Sequence, residues 1–167
     1  MRDLELIFIV DENWNIGLNG DMLYKTKVDL DHFRNTTEGQ VLLMGRKTLE
    51  ALPGGRGLKN RINIVLSRDE NYQAENIVLV NSLDQMEREI EKYPDKKIFL
   101  IGGENLVKQL FDSCTYAYIT KINHKFKNFD SSIPNLDDLD NWKIVKKQGP
   151  VDDKTHLLTF LEYKKIK

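Results

Sequence analysis

Strand-length apolar runs recur through most of this chain, and nearly every one is followed by a polar or glycine-rich break and then by residues spaced for a helix. The runs fall at residues 6–10, 41–44, 62–66, 77–80, 98–101 and 116–121. The first is continuously apolar with β-branched members, the pattern of a strand covered on both faces. Val28, Leu30 and Phe33 mark one face of a helix that starts at Thr26 and that Gly39 can end. Residues 49–52 form a shorter helical stretch stopped by Pro53-Gly54-Gly55, with Gly45-Arg46-Lys47-Thr48 leading into it. Ser82-Leu83-Asp84-Gln85 reads as a capping box for a helix with Leu83, Met86 and Ile90 inward, ending near Tyr93-Pro94. Leu106, Val107, Leu110 and Phe111 give the stripe of another helix. Residues 142–148 and 157–163, with the turn signals Gly149-Pro150 between them, read as an antiparallel pair. Gly17-Leu18-Asn19-Gly20 reads as loop.

Such alternation predicts one α/β domain over residues 1–167, with a mostly parallel central sheet flanked by helices and closed by a C-terminal antiparallel hairpin. In sheets of this kind ligands lie at the carboxyl ends of the strands. At 167 residues, 40% of them hydrophobic, the chain can bury a core of that size. Its formal charge of −1 gives no overall attraction for nucleic acid or an anionic membrane, so neither is expected as a partner. An anionic ligand would need locally placed cations.

A lone cysteine, Cys114, and an N-terminus without a basic segment followed by an apolar one suit the cytoplasm. His32, His124 and His156 are scattered without the spacing of a metal site, so no metal is expected. The nucleophile elbow Gly-x-Ser-x-Gly, the Gly-x-Gly-x-x-Gly fingerprint and the P-loop are missing.

What remains are small motifs, each with two readings. Thr26-Lys27-Val28-Asp29 fits a capping box, yet Asp29 also shares a helix face with Phe33, and an acid beside an aromatic wall can hook a flat, nitrogen-rich ring. Met44-Gly45-Arg46-Lys47-Thr48 sets two cations and a hydroxyl between a strand and a helix, which suits phosphate or a solvated turn. Ser67-Arg68 follows the next strand, and an arginine with a hydroxyl there suits a ribose 2′-phosphate, although Asp69 adds an opposing charge. Ile101-Gly102-Gly103 leaves bare backbone at a strand end, open to a ligand or simply to a turn.

Taken in order, Val10-Asp11-Glu12-Asn13, Ile16-Gly17, the Asp29 segment, Met44 to Thr48, Ile64-Val65-Leu66-Ser67-Arg68 and Ile101-Gly102-Gly103 resemble dihydrofolate reductase of the bacterial chromosomal type over nearly the whole chain. The resemblance implies NADPH-dependent reduction of 7,8-dihydrofolate to tetrahydrofolate, with hydride passing to pterin C6 and a proton to N5. Antifolate inhibitors would compete for the same pocket, and a monomer is expected. It implies that Asp29 is catalytic and that Met22 and Tyr24 lie on a lid, with Tyr24 helping to order a water. Asp130 aligns with an acid that can tie such a lid down.

For the substrate it implies Ile7, Phe8, Ile9, Asp29, Leu30, Phe33, Leu52, Leu58, Ile101 and Thr120 around the pterin and benzoyl rings, and Arg61 on the glutamate α-carboxylate. For NADPH it implies Ile9, Ile16, Gly17, Gly45, Arg46, Lys47, Thr48, Leu66, Ser67, Arg68 and the run Ile101, Gly102, Gly103, Glu104, Asn105 and Leu106. Several residues depart from the family pattern. Tyr24 replaces a tryptophan, Leu23 and Lys27 replace prolines, Val107 replaces an aromatic and Ile9 replaces an alanine. A related pteridine or riboflavin-pathway reductase would keep the cations but lose the Asp29 and Arg61 pair. A folate- or nucleotide-binding module without turnover is the alternative outside enzymology.

Overall fold

A computed structural model describes residues 1–166. The elements run β1 (Leu4–Val10), β2 (Asn15–Leu18), β3 (Asp21–Met22), α1 (Lys27–Thr37), β4 (Val41–Gly45), α2 (Arg46–Ala51), β5 (Ile62–Leu66), β6 (Val78–Val80), α3 (Leu83–Ile90), β7 (Ile98–Leu100), α4 (Glu104–Leu110), β8 (Cys114–Ile122), β9 (Ser131–Ser132), β10 (Trp142–Asp152) and β11 (Leu157–Lys165). The main sheet has the order β10-β11-β8-β1-β7-β4-β5-β6. β1 is parallel to β7 and β8, β4 is parallel to β5 and β7, and β5 is parallel to β6. β11 runs antiparallel to β8, and β10 antiparallel to β11. The mostly parallel sheet with its terminal hairpin is therefore present.

Continuous apolar runs became central strands because both of their faces are covered. Leu42, Leu43 and Met44 of β4 and Phe99 and Leu100 of β7 are fully buried. Ser82 caps α3 by accepting the Gln85 N–H at 3.1 Å, as the box implied, and α3 ends at Ile90, short of the Tyr93-Pro94 signal. α2 begins one turn earlier than expected, so Arg46, Lys47 and Thr48 open the helix instead of leading into it.

Two readings are corrected. Gly17 to Gly20 is not plain loop: Asn19 and Gly20, with φ of 53° and 80°, make the turn between β2 and β3. β9 pairs with β2 to complete a small second sheet. Gly149-Pro150 is not the turn of the terminal hairpin either. It lies inside β10, where the register shifts between Gln148 and Val151, the kind of irregularity that accommodates a residue without an N–H donor. The strand runs on to Asp152, and the turn falls at residues 153–156.

The chain leaves β1, skips one strand position to form β4, and fills the gap later with β7. Connections diverge at this point, which opens a crevice outside the carboxyl ends of the strands.

Candidate active site

Asp29 sits in the first turn of α1, only 7% exposed. Burial pushes its carboxyl up from the usual value, and the Thr120 hydroxyl beside it pulls the other way. Thr120 belongs to β8, in register with Ile9 of β1, so the two central strands deliver the acid's partner from ninety-odd positions away. Thr26 occupies the cap position of α1, but its side chain makes no capping bond. The capping reading of Asp29 is therefore not the one that forms. A buried acid served by one hydroxyl is an acceptor waiting for N–H donors.

The helix that carries Asp29 also contributes Phe33 to an apolar cluster. Ile7 lies in a buried cluster against which Phe33, Leu52, Leu58 and Ile101 all pack. Phe8 packs on the main core, and Leu30 stands 46% exposed at the rim. Arg61 precedes β5 half-buried, and its Nε is buried without a hydrogen-bond partner among the described residues. Burial lowers the guanidinium's pKa first, while Glu38 raises it and Arg34 lowers it again. An orphaned donor of this kind fits a ligand carboxylate.

Across the crevice, Gly45 donates its N–H to the Gly102 carbonyl at 2.9 Å, tying the ends of β4 and β7 together. The Gly102–Gly103 peptide is cis, and Gly102 has φ 132°. A Cβ at Gly102 would stand 3.1 Å from the Thr48 Oγ1, so only glycine keeps this surface open to a ligand backbone or ring. Lys47 and Arg68 are exposed, with no ion-pair partner among the described residues, and Ser67 is buried with its Oγ accepting the Asp69 N–H at 3.2 Å. Arg46 is engaged instead, 3.7 Å from Asp69 and 3.4 Å from Glu50. Glu104 uses its carboxylate to hold Ser132 of β9, the Leu106 side chain is in the main core, and Asn105 between them is exposed.

Residues 3–165 match the sequence model of the family described as dihydrofolate reductase. The chain belongs to that family. It is 36% identical over 164 residues to the dihydrofolate reductase of Bacillus subtilis, covering 97% of this chain and 94% of the relative. To that of Lactococcus lactis it is 32% identical over 165 residues, covering 96% of each. Among solved structures, dihydrofolate reductase from Enterococcus faecalis complexed with NADP(H) and RAB-propyl superposes with a TM-score of 0.86 at 30% identity, covering 99% of this chain and 97% of that one.

Met22, expected on a lid, lies on β3 of the small sheet. Gly17 passes so close to its neighbours that a Cβ would stand 2.5 Å from Ser131 Oγ and 2.9 Å from the Asp21 carbonyl oxygen. Its carbonyl accepts the Asp130 N–H at 2.9 Å, and the Asp130 carboxylate accepts the Asn19 N–H at 2.8 Å. Asp130 thus ties the β2–β3 hairpin. Ile16 packs on the main core, and Met22 is 38% exposed on β3.

Tyr24 behaves differently from expectation. Its ring packs with Ile9, Val28 and Phe126, and its hydroxyl donates to Asp153 in the turn after β10. The proton expected to help order a water at the pterin is committed to that carboxylate. Asp153 escaped the sequence reading because Gly149-Pro150 drew the hairpin turn to the wrong place; Asp153-Lys154-Thr155-His156 was the weaker signal. Of the other departures, Lys27 opens α1 and pairs with Asp31 at 2.6 Å, and Val107 is fully buried in the core.

Proposed function

We infer that the protein reduces 7,8-dihydrofolate to 5,6,7,8-tetrahydrofolate with NADPH. The observation that carries this reading is Asp29, a buried carboxyl with Thr120 as its hydroxyl partner, on the same helix that sends Phe33 into the apolar cluster of Ile7 and Ile101. When bound, NADPH supplies the hydride. Lys47 and Arg68, with the open backbone at Gly102, fit its phosphates and the close approach of its rings. Preference for the phosphorylated dinucleotide follows from Ser67 and Arg68 at one strand end.

Asp29 accepts the pterin's ring N–H and amino group by charge-assisted hydrogen bonds, and its negative charge favours the protonated ring at N5, with the proton drawn from water. Ile7, Phe8, Ile9, Leu30, Leu52 and Leu58 exclude solvent from the pterin and benzoyl rings, and Arg61 grips the glutamate carboxylate. Met22 and the β2–β3 hairpin close over the nicotinamide side. Asp29 and Arg61 present together favour this substrate over those of a related pteridine or riboflavin-pathway reductase.

The reading extends to a monomer in the cytoplasm that antifolates would inhibit. The exposed edge strand β10 carries Lys143, Lys146 and Lys147, charges that oppose edge-to-edge pairing. Cys114 is buried, and burial pushes its thiol up to about 12, which suits an unreactive packing residue. Candidate spans are absent among the described residues: no helix is long and apolar enough to cross a membrane. Loss of NADPH absorbance on mixing with dihydrofolate tests the reaction. Tight binding without turnover would mark a binding module, and turnover of another pteridine alone would mark a different reductase.

A further inference from the structure

The segment between the lid and α1 is pinned from an unexpected side. Tyr24 donates its hydroxyl to Asp153 Oδ2, across 129 positions of sequence. The other oxygen, Asp153 Oδ1, accepts the backbone N–H groups of Thr155 at 2.9 Å and His156 at 2.7 Å, so the acid is held rigidly by its own turn. Its carboxyl lies well below the usual range, first because of the His156 N–H and then because of the Tyr24 hydroxyl, with the Thr26 side chain adding to the effect.

Packing reinforces the same junction. The Tyr24 ring stands edge-on to His156 with centroids 5.1 Å apart and lies 6.1 Å from Phe126, while His124 and His156 lie 4.5 Å apart beside them. Tyr24 lies two residues beyond Met22 of the lid and five before Asp29. Whatever fixes Tyr24 therefore fixes both the hinge of the lid and the entry of the helix that presents the acid.

We propose that Asp153 is a positioning residue for the reaction, holding Tyr24 so that the lid and Asp29 take up their working geometry. The inference rests on the reductase reading above, and deepens it by assigning a role to the turn between β10 and β11. Because Asp153 acts through Tyr24, its loss acts on the rate of the closed complex and much less on ligand capture.

The test is a double-mutant cycle on the full chain with Tyr24→Phe and Asp153→Ala, read by single-turnover hydride transfer, by KM for dihydrofolate and by thermal midpoint. Each single variant is expected to slow hydride transfer by about fivefold or more, with KM within about twofold, and the double variant is expected to be no slower than the worse single. Asp153→Asn keeps an oxygen for the turn and offers Tyr24 a new donor, so it should recover part of the rate. Tyr24→Phe leaves the turn intact and decides the matter if Asp153→Ala fails to fold. Wild-type hydride transfer in Tyr24→Phe, or losses that multiply in the double variant, would overturn the proposal. A wild-type protein inert toward dihydrofolate and NADPH would instead overturn the reductase reading.

Discussion

The Arg46 guanidinium lies over the ring of Tyr72, 4.2 Å from its centroid. Together with Asp69 and Glu50, this contact engages the side chain at the end of β4 and partly offsets its charge. The exposed charge at the adjoining strand end is Arg68.

Arg68→Ala is accordingly expected to raise the KM for NADPH more than Arg46→Ala does, and to narrow the preference over NADH. Added salt should weaken NADPH more than NADH, since screening acts on the additional phosphate charge. Steady-state kinetics with both cofactors at two ionic strengths check this; equal use of both by the wild type would refute the placement.

Asp29→Asn should slow turnover at least tenfold, a loss of roughly 1.4 kcal/mol or more in transition-state stabilisation, with a smaller defect in acid where the substrate protonates unaided. The same change should stabilise the ligand-free protein. A carboxyl whose value is raised on folding binds more protons folded than unfolded between its ordinary and its raised value, so stability falls as pH rises through that window and the loss is complete above the raised value. An amide does not ionise. At this chain length each kcal/mol regained shifts the midpoint by about 2–4 °C, and calorimetry at neutral pH would reveal it.

Arg61→Ala should weaken ligands bearing the glutamate carboxylate by about 1.5–3 kcal/mol, the scale of a hydrogen bond to a charged group. Pterins lacking that tail should bind within twofold of wild type. Titration with both ligand types separates a specific grip from a general effect on the fold.

Asp11, fully buried at the end of β1, accepts N–H groups from Asn13 at 3.0 Å, Asn15 at 2.9 Å and Phe126 at 3.1 Å, and the Asn15 side-chain amide at 3.2 Å. Asp11→Ala leaves these donors unserved and is expected to lower stability by about 2–4 kcal/mol. Chemical denaturation measures it; a loss within 0.5 kcal/mol, the usual range for surface changes, would show that water replaces the carboxylate freely.

Most of the strands and helices were legible in the sequence because burial on both faces forces a continuous apolar run, and burial on one face forces a helical stripe. β4 and α3 follow these patterns closely. The lid hairpin was not, although Asn19-Gly20 carried its signal, because strands of two to four residues leave too little alternation to read. Gly149-Pro150 misled for the opposite reason: a strong turn dipeptide is also what a bulge inside an edge strand tolerates.

Local pattern by itself determined the α/β alternation, the strand-end positions of Arg46, Ser67, Arg68 and Gly102, and the candidacy of Asp29, since each depends on residues a few positions apart. Tertiary structure alone set aside the capping reading of Thr26 to Asp29, left the Arg61 Nε without a partner and sent the Tyr24 proton to Asp153. Those outcomes depend on which strands become neighbours and in what register, as when β8 sets Thr120 against Ile9, and hydrogen-bond partners separated by a hundred residues leave no periodic trace in the chain.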